Sequence, residues 1–393
     1  MAAIKLKEGV YSVGVMNPAL RTFDIIMTAE YGTTYNAYLV QGEKTALIET
    51  VHARFFEEYL ENIRQVTDPS NIDYLVVNHT EPDHTGSVAK LLELNPDIKI
   101  FCTMAASKYL AQITNRQLNV TVVKAGDTLD LGGRTLRFVP APFLHWPDSM
   151  FTFDERSKTV FTCDFLGAHY CEPRLLDVHC QYPEKYEGAF AYYYEGIFGP
   201  FKPFVLDGIK KLEELDFDMV CPSHGLILTR DIEKRIAQYR EWSTPKEGGK
   251  PVAIVYASAY GYTERMARAA ASRLEREGYP VTLVNLVETP LSEAAAAVAS
   301  CGALLVGTNT INRDATKPVW DLLSSIDAIN TKKPAGAFGS YGWSGEAVPM
   351  VKARLEQLKF QFVGEGVKAV FLPTEEDLQR MEDYALEAAS QMK

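Results

Sequence analysis

The sequence predicts an α/β protein of two domains: an N-terminal αββα sandwich of two mixed sheets, then a C-terminal doubly wound parallel sheet. Three observations carry this. The chain has 393 residues, 47% hydrophobic and 23% charged, which fits packed domains and, at roughly 150 residues each, more than one of them. Strands before Trp242 come mostly in hairpins, whereas those after Pro251 alternate with helices. Between these two regimes, Pro245, Gly248, Gly249 and Pro251 interrupt a polar stretch that reads as a linker. The domains are therefore placed at 1–247 and 251–393.

In the first region, TYNAYLV and TALIET flank QGEK, DTLDL and RTLRFV flank Gly132-Gly133, and MFTF and TVFTC flank DERSK. Each is an apolar pair across a short turn, the mark of a β-hairpin. Helical periodicity intervenes in RFFEEYLENIRQV from Arg54 and TGSVAKLLELN from Thr85. Hairpins mixed with strand–helix units make two mixed sheets covered by helices. After the linker, VAIVYAS, VTLVNL, ALLVG, AGAFGS and AVFLP alternate with TERMARAAASRLERE, KPVWDLLSSI, EAVPMVKARLEQL and EEDLQRMEDYALEAA. That alternation requires parallel pairing with helical crossovers. The run Ala294–Ala297 reads as a helix face.

Composition excludes several classes. Fifty-one acids against 40 bases leave a charge of −11, so nucleic acid is not expected as a partner, because phosphate binding needs clustered Lys and Arg. No apolar run reaches membrane length, and the opening MAAIKLKEGVYSVG lacks the apolar core of a signal peptide. Six cysteines include no C-x-x-C pair, which argues against zinc knuckles and disulfide scaffolds. The expectation is a reduced, cytoplasmic protein without a membrane partner.

The strongest chemical signal is NHTEPDHTG. Strand DYLVV ends at Asn78, and His79, Glu81, Asp83 and His84 follow within six residues before a helix. On a regular strand these side chains would diverge to opposite faces; on a loop they can converge. Three further candidates end strands: His145 after RTLRFVPAPF, Asp164 after TVFTC, and His224 after DMVCPS. Strand C-terminal ends are where α/β sites assemble. Four of the seven histidines occupy these positions, and imidazole with carboxylate suits first-row divalent metals.

This spacing resembles the metallo-β-lactamase superfamily, whose hallmark is HxHxDH followed by downstream His, Asp and His. Here Glu81 stands in place of the second histidine, so an anionic oxygen replaces a neutral nitrogen. Glu81, Asp83 and a bridging Asp164 supply three negative charges, and one hydroxide would balance two divalent ions. That donor set leans towards iron. Glu for His, followed by a flavodoxin-like half, resembles the flavodiiron proteins (A-type flavoproteins) over essentially the whole chain. The resemblance implies that His79, Glu81 and His145 bind one iron, that Asp83, His84 and His224 bind the other, and that Asp164 bridges them. It also implies that Tyr192 or Tyr193, within AYYYEGIFGPF, lines the pocket above the irons. His52, His169 and His179 fall outside the ligand set, with His169 the best placed to support it from behind.

In the second region three loops follow strands. Ser258, Ala259, Tyr260, Gly261, Tyr262 and Thr263 lie at a helix N-terminus, where backbone N–H groups and the helix dipole favour phosphate. Flavodoxins show a comparable S/T-x-T-G-x-T loop, in which Tyr260 here replaces the central threonine. Thr308, Asn309, Thr310 and Asn312 offer hydrogen-bonding groups to an isoalloxazine edge, and Ser340, Tyr341, Gly342, Trp343 and Gly345 offer an aromatic face and close backbone approach. No G-x-G-x-x-G follows the first strand, which favours FMN over a dinucleotide.

FMN beside a diiron centre implies a terminal reductase, converting dioxygen to water or nitric oxide to nitrous oxide. The resemblance implies a head-to-tail homodimer, or a dimer of such dimers. Without a C-x-x-C pair no rubredoxin is fused, so a separate donor is expected, rubredoxin or a reduced deazaflavin. Two other readings compete: a dinuclear zinc hydrolase with a flavodoxin module, and an electron carrier whose first domain only docks.

Overall fold

The computed structural model describes residues 2–245, 249–329 and 331–392. The chain divides into two compact units, Met1–Pro245 and Lys246–Lys393. The expected domain edge at Glu247 lies outside the described residues.

Two sheets face each other in the first unit. One runs, in spatial order, Ile4–Lys7, Val10–Ser12, Tyr38–Gln41, Thr45–Ile48, Tyr74–Val76, Lys99–Cys102 and Val120–Val122; the other runs Thr128–Asp130, Thr135–Pro140, Met150–Asp154, Thr159–Cys163 and Met219–Pro222. Successive side chains on a strand point to opposite faces. Tyr38 and Val40 thus join Ala46 and Ile48 against Phe138, Met150 and Phe161 of the facing sheet. Leu39 and Leu47 turn outward, onto Tyr59 and Ile63 of helix Phe56–Arg64 and Leu110 of helix Met104–Thr114. Burial on both faces explains why these strands read as apolar runs rather than alternations. Helices Pro183–Tyr193, Lys202–Glu213 and Ile232–Ser243 cover the far side of the second sheet, completing the four layers.

The three expected hairpins form as antiparallel pairs. Gly132 and Gly133 both adopt positive φ in the second turn, a conformation that side-chain-bearing residues resist. Two strand ends differ from expectation. The strand expected to run to His145 stops at Pro140, because Pro140 and Pro142 cannot donate to a ladder; His145 sits in the loop that returns to Met150. The last strand likewise stops at Pro222, two residues before His224. Residues 13–33, for which the sequence suggested no role, contribute a ladder of Val15–Asn17 with Thr33–Tyr35 and a small hairpin of Thr22–Phe23 with Met27–Thr28.

The second unit is a parallel sheet in the order Val281–Asn285, Val252–Tyr256, Ala303–Gly307, Pro334–Tyr341, with Gln361–Phe362 and Val367–Val370 both pairing the last of these. Helices Tyr262–Arg276 and Glu375–Ser390 bury Met266, Ala270, Leu274, Met381 and Ala385 on one face. Leu291–Ser300, Lys317–Ser325 and Ala347–Gln357 cover the other. The fifth expected strand is shifted: it ends at Val370, and Phe371 takes a left-handed backbone beyond it. Strand order reverses between Val252–Tyr256 and Ala303–Gly307, which opens a crevice at their C-terminal ends.

Candidate metal centre and flavin cradle

Each predicted metal-binding side chain is carried past the C-terminal end of a strand of the first unit. Beyond strand Tyr74–Val76 the chain passes through His79 and Glu81 into the short helix Pro82–Thr85, which carries Asp83 and His84. Asp164 follows directly on strand Thr159–Cys163.

The seven residues converge as two overlapping groups. Glu81 Oε2 lies 3.2 Å from His79 Nε2 and 3.1 Å from His145 Nε2, and Asp164 Oδ2 lies 3.5 Å from each of those nitrogens. The opposite oxygen, Asp164 Oδ1, lies 3.2 Å from His84 Nε2 and 3.4 Å from His224 Nε2. Asp83 stands 3.3 Å from His84 and 3.1 Å from His224. One carboxylate therefore faces both groups, one oxygen to each. Ligand atoms of His79, Glu81, His84 and Asp164 fall within 4.8 Å of one another, as do those of Asp83, His84 and His224. His84 is within reach of both groups.

Burial makes this arrangement costly without a cation. Six of the seven side chains are nearly inaccessible, with His79 at 0% and Asp164 at 1% exposure. Both oxygens of Asp83, both of Asp164 and Nε2 of His84 lack a well-formed hydrogen bond. Burial resists ionisation of Asp164, yet His84 and His145 hold it well below the usual carboxylate range. Burial likewise opposes protonation of His84, but Asp83 and Asp164 push it up to about 10. In the metal-free protein, protons thus sit where the donor set calls for metal. Four imidazoles and three carboxylates, with orphaned oxygens aimed inward, fit two first-row divalent ions.

Residues that the sequence reading missed surround and orient these donor side chains. Both oxygens of Asp148 lie 3.3 Å from His79 Nδ1, and Asp148 also accepts from the N–H and the hydroxyl of Thr80 at 2.7 Å. A carboxylate behind a ligating histidine fixes its tautomer and sharpens its basicity. His224 Nδ1 donates to the Thr34 carbonyl at 2.6 Å, which leaves Nε2 for the centre. Glu49, wholly buried and accepting from the Asn78 N–H at 2.7 Å, is lifted to about 8 by burial. Asp24, on the small hairpin, is raised to about 7 by partial burial and by the Glu81 carboxyl it hydrogen-bonds. Asp148 could have been found as the acid of HWPD, three residues after His145; Thr34, Glu49 and Asp24 carry no such local mark.

Of the two candidate tyrosines, Tyr193 reaches the centre. It is buried, with its ring edge-on to His169 at 4.8 Å and 6.1 Å from His224. Tyr192 does not: it is 44% exposed, and its hydroxyl accepts from the Thr28 N–H. The helix turns about 100° between successive residues, which here sends Tyr193 inward and Tyr192 to the surface. His169 packs behind His224 at 5.2 Å with Nδ1 3.0 Å from the Thr33 hydroxyl, and burial, then His224, depress it to about 3. His52 instead caps the turn Ala53–Phe55 through Nδ1, and His179 ends a short helical turn.

In the second unit, three loops gather at the crevice. Gly261, at φ 79°, turns Ser258–Gly261 into helix Tyr262–Arg276, and Ser258 Oγ accepts from the Glu264 N–H. Thr263 is buried and accepts from the Ser340 N–H at 3.2 Å, tying the first loop to the third. Thr308 accepts from the Thr316 N–H at 3.2 Å, and Asn309 Oδ1 is buried without a partner. Ala259, Tyr260 and Trp343 stand exposed, Tyr260 at 86% and Trp343 at 93%; Tyr341, Gly342 and Gly345 are half-buried. Thr310 lies on a two-stranded hairpin with Asp314–Ala315. Asn312 is exposed at its turn with φ 51°, a conformation that asparagine tolerates. The loop after Val370 was missed: Ser340 Oγ donates to the Phe371 carbonyl at 2.6 Å.

A two-cluster His and carboxylate centre on an αββα unit, followed by a flavodoxin-type unit, defines a modular metalloflavoprotein. Residues 33–225 match the family model described as ODP family beta lactamase, and residues 254–383 match Flavodoxin. The chain is 49% identical to the flavo-diiron protein FprA2 of Clostridium acetobutylicum, over 98% of this chain and 99% of that one. It is 35% identical to a nitric oxide reductase of Moorella thermoacetica, over 99% and 98% of the two chains. The solved rubredoxin oxygen:oxidoreductase of Desulfovibrio gigas superposes with a TM-score of 0.74 at 33% identity, covering 99% of this chain and 98% of that one. The chain belongs to the flavodiiron protein family.

Proposed function

We propose that the protein is a terminal reductase that converts dioxygen to water or nitric oxide to nitrous oxide at a non-haem diiron centre, with electrons entering through FMN. The observation that carries this reading is the buried pair of donor groups sharing Asp164, on a chain that also has a flavin cradle. His79, Glu81 and His145 would hold one iron, Asp83, His84 and His224 the other, and Asp164 would bridge them. When bound, the irons supply a site for a small diatomic and FMN supplies electrons one at a time. The chain's own residues do the rest. Asp148 and the Thr34 carbonyl hold the imidazoles in one tautomer, Tyr193 and Phe23 close the pocket against His169 and His224, and the apolar surroundings keep bulk water out.

The donor we assign is a separate protein or small molecule. Rubredoxin is the first to test, on the similarity to the Desulfovibrio gigas oxidoreductase; a reduced deazaflavin is the other. A head-to-tail homodimer, which would bring one subunit's flavin to its partner's irons, is the assembly that the family resemblance implies. Six free cysteines and the lack, among the described residues, of any helix long and apolar enough to cross a membrane support a cytoplasmic setting. A zinc hydrolase is not favoured, because Glu81 adds a carboxylate and the similar chains are named as oxidoreductases. Asp164→Ala is the test: it should abolish consumption of both gases while FMN content stays at the wild-type level. Undiminished consumption would exclude the centre as the reaction site.

A further inference from the structure

Metal ions that end in a buried centre need a way in, and the burial of the carboxylates is graded. Asp164 is 1% exposed, Asp83 5% and Glu81 6%. Asp24, which hydrogen-bonds the Glu81 carboxyl and feels the charge of Asp83, is open to solvent. Carboxylates thus run from the surface to the bridging position. At the inner end neither oxygen of Asp83 has a well-formed hydrogen bond, and its near neighbours are the fellow donors His84 and His224. At the outer end two carboxyls touch, a contact that is stable only with a proton or a cation between them. The small hairpin holds Asp24 in place: Phe23 packs on His169 at 4.2 Å, and Met27 lies over Gly196, where a Cβ would meet its methyl at 2.7 Å. The tip itself is unsupported. Asp24 and Ile25 take positive φ, 46° and 69°, and Ile25 and Ile26 are 94% and 84% exposed. A β-branched residue in that region is strained. Few buried contacts mark a segment that opens locally with ease.

We propose that Asp24 is the entry ligand through which divalent iron reaches the centre. The inference rests on the two-metal reading above and adds to it the route of loading. A hydrated cation at the surface meets the exposed Asp24 carboxylate first and exchanges a water for one of its oxygens. It then passes to Glu81, which Asp24 touches, and onward to Asp83 and the imidazoles. Asp24 stays outside the final set, so it acts on the rate of loading and not on the affinity. The left-handed turn does not by itself call for aspartate, since asparagine and glycine take that conformation too. The charge is what the route needs, because an anionic group at the mouth of a site draws a cation inward.

The test uses the full chain with FMN bound, stripped of metal and mixed anaerobically with ferrous iron. A chelator quench at set times counts the iron taken up, and excess chelator on the loaded protein times its loss. Asp24→Asn, which keeps the turn, is expected to slow uptake and loss alike by about tenfold, with two irons bound at wild-type affinity once equilibrium is reached. Asp24→Glu, which keeps the charge, should load nearly as fast as the wild type. Added salt should slow the wild type towards the rate of Asp24→Asn. Uptake by Asp24→Asn at the wild-type rate would overturn the proposal and place the entrance elsewhere. Slower uptake matched by an equal loss of affinity would also overturn it, because Asp24 would then belong to the resting centre. A wild type that holds fewer than two irons at saturation would overturn the two-metal reading and the route with it.

Discussion

Asp164 and Asp148 illustrate how two carboxylates of one residue type take different tasks from their surroundings. Asp164 has no hydrogen-bond donor of its own and faces imidazoles with both oxygens, so it is built for cations. Asp148 is saturated by Thr80 and stands behind His79, so it positions a ligand. Removing such a supporting carboxylate typically costs 10–100-fold in metal affinity or activity. Asp148→Ala is accordingly expected to lower affinity for the metal near His79 by about that factor, read by competition with a chelator, while circular dichroism stays native. The charge pattern also sets a pH dependence. His84, raised from 6.5 to about 10 in the metal-free protein, carries a proton at neutral pH that metal must displace. Metal uptake should therefore release protons, measurable as a buffer-dependent calorimetric heat, and affinity should fall about tenfold for each unit by which pH is lowered, per proton displaced. In the metal-free fold the sign is opposite: a raised histidine pKa stabilises fully below 6.5 and ceases to do so as pH rises through about 10. Uptake without proton release would show that the imidazoles are neutral before metal arrives.

Strand ends bring the chemistry together, and they also mark where sequence reading succeeds. NHTEPDHTG was legible because four donors crowd one loop, and local crowding is visible in a linear string. His145 was legible as a candidate donor but not as a loop residue, because Pro140 ends the strand five residues early. Thr34, Glu49 and Asp24 were not legible at all: each is brought in by pairing between segments far apart in sequence, and neither periodicity nor spacing records that. The two tyrosines show the same limit, since a shift of one residue on a helix moves a ring from pocket to surface. In the second unit, the first loop depends on Gly261 at φ 79°. A side chain there costs roughly 1–2 kcal/mol through the left-handed backbone. Gly261→Val should weaken FMN binding by about tenfold, seen by flavin fluorescence titration, with iron content unchanged. Equal FMN affinity would place the phosphate elsewhere than this loop.

The whole molecule joins a buried centre for a diatomic to an exposed cradle for a flavin, and the composition takes on meaning from that pairing. Part of the charge of −11 is not surface charge: Glu81, Asp83 and Asp164 are buried, where metal cations would offset them. The decisive measurement is anaerobic reduction of the purified protein by one donor, with iron and FMN quantified, followed by steady-state consumption of dioxygen and of nitric oxide. The expected outcome is two irons and one FMN per chain, with turnover of at least one gas that stops when either cofactor is removed. Zinc in place of iron, or FMN that is reduced yet passes no electrons to either gas, would refute the reading.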